Sequence, residues 1–91
     1  MILNNSIFTK NKNVHIIDLG DESILVHRDK KYIINAVGMV VWNSMSDMNT
    51  CLDIINRVAD HYETGDLDIA DDIIRLITKL KDYNLIDEII I

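Results

Sequence analysis

Ninety-one residues make one small domain and leave no room for two. Hydrophobic residues are 48 % of the chain and aromatics only 5 %, so a core must be built from Ile, Leu, Val and Met; with that content and 26 % charged residues, a wholly disordered chain is excluded. The net charge of −6 argues against nucleic acid, whose phosphates are met by clustered Lys and Arg, and points to proteins, peptides or cationic ligands.

The basic residues Arg28, Lys30 and Lys31 enclose Asp29 in what reads as a hairpin tip, while Lys10 and Lys12 add little. A single cysteine, Cys51, precludes an internal disulfide and fits a reducing compartment. The opening stretch MILNNSIFTKNKN has no basic region followed by a continuous apolar run, so no secretory signal is expected. No apolar segment approaches the roughly 20 residues that span a bilayer. The expected setting is cytoplasmic and soluble. The absence of proline and the presence of three glycines favour helices and short strands over long irregular loops.

Residues 1–12 read as a flexible lead-in, with Ile7 and Phe8 able to pack, and residues 13–91 as the domain. Val14 to Leu19 is a strand candidate ending at the turn signal Gly20-Asp21. Ser23 to His27 is a second strand, Arg28-Asp29-Lys30 a hairpin loop, and Tyr32 to Ile34 a third strand antiparallel to the second. Asn35 is a strong N-cap, because its side-chain oxygen can accept from an unpaired amide of the first helical turn.

The pattern then changes to helical period. Helix one is predicted over Ala36 to Ser46, with the stripe Val37, Val40, Val41, Met45 and Met48 and with Trp42 on its shoulder beside Gly38. After the break at Ser46 to Asn49, Thr50-Cys51-Leu52-Asp53 has capping-box spacing. Helix two follows, with Leu52, Ile55, Val58, Ala59 and Tyr62 inward and Gly65 at its exit. Helix three starts at Asp66 or Asp68 and runs to about Tyr83. Acidic residues Asp68, Asp71 and Asp72 lie near its start and Lys79 and Lys81 near its end, matching the helix dipole. Asn84 takes the left-handed exit. The stripe of helix three is Ile69, Ile73, Leu76, Ile77, Leu80 and Tyr83, with Ile74 on a shoulder near Ala70, Ile77 and Lys81. Leu85 and Ile86 close the helix end, and Asp87 to Ile91 forms an apolar tail. Three strands followed by three helices predict a small α+β domain of winged-helix-like shape, built on a three-stranded antiparallel sheet.

The sequence offers no reaction chemistry. His15, His27 and His61 are scattered, without metal-ligand spacing and without a second cysteine, so no metal is expected. Cys51 stands at a helix start, where the dipole could activate a thiol, but a nucleophile needs a base and an oxyanion hole that the chain does not identify. The acidic run around Asp66, Asp68, Asp71 and Asp72 lacks the pattern of a calcium loop. No glycine-rich phosphate loop is present. A non-catalytic protein without a cofactor is therefore expected. Trp42 and Ile74 admit two readings: surplus core residues, or the borders of a groove.

The residues Ile34-Asn35, Val41-Trp42, Ser46-Asp47 through Asn49-Thr50, and Leu80-Lys81-Asp82-Tyr83-Asn84-Leu85 together resemble the PqqD-like family, the precursor peptide recognition elements of ribosomally synthesised and modified peptides. The resemblance covers residues 14–86. Asn84 and Met48-Asn49 stand where the family has glycine, and Asn is the next-best residue for left-handed geometry. The resemblance implies a peptide chaperone that captures a leader peptide by strand addition to the open edge of the third strand and presents it to a modifying enzyme. That enzyme would be a leader-cleaving cysteine protease or a radical SAM enzyme, and Val41-Trp42 leans toward the lasso-peptide branch. The implied peptide-binding residues are Tyr32, Ile33 and Ile34 on the strand and Ile74, Ile77 and Lys81 on the facing helix. Helix period alone leaves open whether the wall is the Ile74 side or the Leu76 and Tyr83 side. A winged-helix DNA-binding regulator would need a basic recognition helix, yet helices two and three carry more acidic than basic residues. A small protein–protein adaptor using the Ile89–Ile91 tail is the other rival.

Overall fold

The computed structural model describes residues 5–45, 49–62 and 66–89. Five strands and three helices follow in the order β1 (Ile7–Lys10), β2 (His15–Asp18), β3 (Glu22–His27), β4 (Lys30–Asn35), α1 (Ala36–Ser44), α2 (Cys51–Tyr62), α3 (Asp66–Asp82) and β5 (Ile86–Ile89). The expected antiparallel meander is present as a sheet of order β2-β3-β4, followed by the three expected helices. Met48, Gly65 and the Ile90–Ile91 end of the tail lie outside the described residues.

The local signals act as their chemistry dictates. Asn35 caps α1 by accepting from the Gly38 amide at 2.9 Å. Thr50 and Asp53 form a reciprocal capping box, the Thr50 amide donating to Asp53 Oδ2 at 3.0 Å and the Asp53 amide to Thr50 Oγ1 at 3.1 Å; these bonds hold the exposed Asp53 carboxyl below its ordinary range. At the end of α3, Asn84 adopts φ 62°. The Leu85 amide donates to Leu80 O and the Asn84 amide to Lys81 O, both at 3.0 Å, a Schellman arrangement with Leu80 and Leu85 buried beside it.

Two corrections concern the chain ends. The lead-in expected over residues 1–12 contains β1, and the segment expected as a tail contains β5. These strands pair antiparallel with each other, from Ile7 opposite Ile89 to Lys10 opposite Ile86. The physical reason lies in burial: Ile7, Phe8 and Ile86 are core residues, and pairing satisfies the backbone groups that go inside with them. The Cys51 amide donates to Ser6 O at 2.8 Å and the Asn11 amide to Leu85 O at 2.9 Å, tying this ribbon to α2 and to the end of α3.

The helix faces also shift. In α1 the buried stripe is Gly38, Val41 and Trp42, continued by Met45 beyond the helix end and flanked by buried Ser44, whereas Val37 is exposed. In α2 they are Cys51, Ile54, Ile55, Val58 and Ala59, with Leu52 and Tyr62 outside. Both sets follow an i, i+3, i+4, i+7 pattern; the expected stripes began one residue too early or too late. Ile73, Ile77 and Leu80 supply the core from α3, while Tyr83 is exposed.

Glu88 of β5 is the polar link of the interior. Its side chain is 4 % exposed and accepts from Lys81 Nζ at 2.7 Å and from the Ser6 hydroxyl. These bonds hold its carboxyl below the ordinary range despite burial. The unfolded chain then binds the proton more tightly, so this stabilisation is present above the unfolded value near 4.3 and is lost as pH falls through the folded value. Glu88→Gln is expected to cost about 1–2 kcal/mol at neutral pH and to flatten the acid limb of stability, read by urea unfolding at a series of pH values. At the α3 exit, Asn84→Gly should raise stability by a few tenths of a kcal/mol and Asn84→Ala lower it by about 1 kcal/mol, measured in the same way.

Candidate functional site

The sheet leaves β4 at its edge: β3 pairs with one side, and no described strand pairs with the other. Pairing across the Arg28-Asp29 loop begins with His27 opposite Lys30. With only two residues between them, that pair is hydrogen-bonded, and the alternation of an antiparallel ladder then assigns every residue of β4. Lys30, Tyr32 and Ile34 turn their backbone groups toward β3. Lys31 and Ile33 present an amide and a carbonyl each to the open edge. Of the three strand residues expected to pair with a peptide, Ile33 therefore has free backbone groups, Tyr32 and Ile34 do not, and Lys31 joins it.

Side chains alternate with the backbone. Ile34 is buried, Tyr32 half-buried, and Ile33 is 69 % exposed at the rim. The open edge of β4 and the second half of α3 flank a groove of about 480 Å³. Its strand side is Lys31, Tyr32, Ile33 and Ile34; its helix side is Leu76, Lys79, Leu80 and Tyr83; Leu25 and Leu85 lie at its base. Tyr32 and Tyr83 stack across one end with centroids 4.6 Å apart and planes at 22°. At the other end Gly38 lets α1 approach the strand, since a Cβ there would stand 2.8 Å from Ile34 Cγ1.

The structure thus brings together Tyr32, Ile33 and Ile34 but not Ile74, Ile77 and Lys81. Ile77 is fully buried in the core. Ile74 packs against the core without reaching the groove. Lys81, two turns along the same shoulder, is engaged by Glu88. That shoulder is turned toward β5, the strand the sequence reading did not contain, and the Leu76 and Tyr83 shoulder faces β4 instead. Of the two alternatives left open by helix period, this geometry selects the second. Trp42 is also no groove residue: it is 2 % exposed, with Lys10 Nζ 5.2 Å above its ring. Val41 is fully buried beside it, so the Val41-Trp42 pair packs the core.

Cys51 is fully buried, and burial together with the Glu88 charge pushes its thiol up, the reverse of an activated nucleophile. Among the described residues no three His, Cys, Asp or Glu side chains converge as a metal site, and no helix is long and apolar enough to cross a membrane. A second hollow of about 510 Å³ lies between α1 and α2, lined by Val40, Asn43, Ser44, Arg57, Asp60 and His61. No residue of a strand lines it, so the β4 groove is the stronger candidate.

Three comparisons bear on the site. The family profile described as coenzyme PQQ synthesis protein D (PqqD) matches residues 22–86, more than half of the chain. Comparison with curated proteins finds no match. Among solved structures the fold is similar to that of TbiB1 in complex with the TbiA(beta) leader peptide, with a TM-score of 0.73 and 18 % identity over 86 % of this chain and 93 % of that one. At that identity the likeness is one of fold.

Gly38→Ala tests how tightly the groove end is built. The added methyl gains about 1 kcal/mol of helix propensity but must displace the Cγ1–Cδ1 arm of Ile34. A net loss of about 1–2 kcal/mol is expected, measured by thermal unfolding.

Proposed function

The chain belongs to the PqqD family, and from that premise we propose that it is a non-catalytic, cytoplasmic precursor-peptide recognition protein. It captures the leader of a ribosomally synthesised peptide by strand addition at β4 and presents it to a modifying or leader-cleaving enzyme, a radical SAM enzyme or a cysteine protease. The observation that carries this reading is the open β4 edge, with Ile33 at its rim, beside an apolar wall of Leu76, Leu80 and Tyr83.

The energetics are sufficient. An added strand pairs with the amides and carbonyls of Lys31 and Ile33, each bond worth about 0.5–1.5 kcal/mol net. Its alternate side chains enter the groove, and each well-buried aliphatic returns roughly 1.5–3 kcal/mol. Ordering the peptide costs about 1–2 kcal/mol per residue. The protein side adds little to that cost, since the groove walls are set by sheet, helix and core. A net near −8 kcal/mol corresponds to about micromolar affinity.

The test is a titration of fluorescent leader segments from precursors encoded beside the gene, followed by anisotropy. Saturable binding at about micromolar or tighter is expected. Ile33→Pro, which removes an edge amide, and Leu76→Asp, which charges the wall, should each weaken it about tenfold or more in protein whose circular dichroism is unchanged. Binding of duplex DNA with no binding of any leader would overturn the reading.

A further inference from the structure

The surface around the groove is cationic in an acidic protein. Its walls include Lys31 and Lys79, and the adjoining hollow of about 240 Å³, which shares Tyr32 and Tyr83 with it, adds Arg28 and Lys30. Against these four stand Asp29 and Asp82, so the continuous surface carries a net positive charge in a chain of −6. All four basic residues are exposed. Neither the Lys31 nor the Lys79 side chain has an ion-pair or hydrogen-bond partner among the described residues, whereas Arg75 and Lys81 are paired with Asp72 and Glu88. Arg28 moreover sits at φ 60°, where glycine is favoured.

The charges are also placed unevenly. Arg28, Lys30 and Lys31 gather at the hairpin end of β4, beyond the Tyr32–Tyr83 stack, while the opposite end is apolar around Ile34 and Leu76. An extended strand rises about 3.3 Å per residue. A segment lying along β4 would therefore set its residues beside Ile34 and those beside the hairpin several positions apart, in two different environments.

We propose that the segment captured at β4 is polarised along its length: aliphatic where it meets Ile34 and Leu76, and carrying Asp or Glu where it crosses Lys31, Lys79 and the hairpin tip. This rests on the strand-addition reading and narrows it to a class of peptide. The apolar walls between the charges favour a peptide over a nucleic acid, whose evenly spaced phosphates would leave Ile33 and Leu76 unserved.

The experiment is selection from a phage-displayed library of random twelve-residue peptides on the whole protein. The most enriched peptide is then labelled and titrated against wild type, Ile33→Pro and the double variant Lys31→Glu/Lys79→Glu, at about 50 mM and about 300 mM NaCl. Enriched sequences should hold Asp or Glu in excess of Lys and Arg, to one side of an aliphatic pair. The double reversal should weaken binding about tenfold at low salt and less at high salt, with the unfolding midpoint unchanged. Selected peptides without acidic preference, or an affinity indifferent to the double reversal but lost in Ile33→Pro, would overturn this inference and leave strand addition standing. Selected peptides that bind Ile33→Pro as well as wild type would overturn strand addition itself. An oligothymidine that competes for the same lysines would assign the patch to nucleic acid and overturn the proposal.

Discussion

The pairing of β1 with β5 is the constraint on which the site depends. A strand with free backbone groups recruits any compatible strand nearby, and this small domain contains two that stand apart from the meander. Because Ile7–Lys10 and Ile86–Ile89 satisfy each other, neither is available to β4. The union is reinforced where it meets the rest of the chain. Ser6 and Lys81 both bond Glu88, Asn11 bonds Leu85 through the backbone, and the Asn11 side chain donates to Asn84 O at 2.9 Å. The C-terminal end of α3 is thereby pinned on one shoulder to β5. On the other it meets β4 through the Tyr32–Tyr83 stack. The groove is what remains between a helix held from behind and a strand left open in front.

This arrangement assigns separate tasks to the two directions in which β4 points. Within the strand plane, Lys31 and Ile33 offer amides and carbonyls that an extended segment of any sequence could use. Perpendicular to it, the Tyr32 and Ile34 side faces a wall of Leu76, Leu80 and Tyr83, where on the proposed reading side-chain shape and charge decide. Rigidity serves both. Ile34 is buried and packed close against Gly38, and α1 follows β4 without a loop because Asn35 ends the strand and caps the helix. A preformed cleft leaves most of the ordering cost on the ligand.

What could be read from the sequence divides by distance along the chain. The Asn35 cap, the Thr50–Asp53 box, the Asn84 exit and the β3–β4 hairpin are each completed within a few residues, and each was legible. The β1–β5 ribbon was not: its four-residue strands are too short for alternation to stand out, and their partners lie at opposite ends of the sequence. The choice of Ile74, Ile77 and Lys81 as the groove wall follows from that omission. Helical period gives the width of the apolar stripe on α3, but it cannot say which neighbour each shoulder meets. Once β5 is placed, Lys81 belongs to Glu88 and the Ile74 shoulder is turned away, leaving Leu76, Lys79 and Tyr83 to face the strand. Trp42 was left between two readings for a related reason. Gly38, with no side chain, left no mark on the apolar pattern, although the buried stripe of α1 runs through it to Val41, Trp42 and Met45.

An open edge must still be kept from pairing with itself. Lysine on an edge strand is one of the devices that discourage such pairing, and β4 carries Lys30 and Lys31 in a strand of six residues. Two copies meeting edge to edge would bring four lysines together over that short length, with Lys79 of each nearby. The repulsion is of the same kind that an acidic segment would turn into attraction. Specificity is a difference between affinities, and the penalty against the wrong partner counts as much as the gain with the right one. On the proposed reading, one set of lysines supplies both terms: it holds the apolar rim at Ile33 apart from its own copies and reserves it for an extended chain of opposite charge.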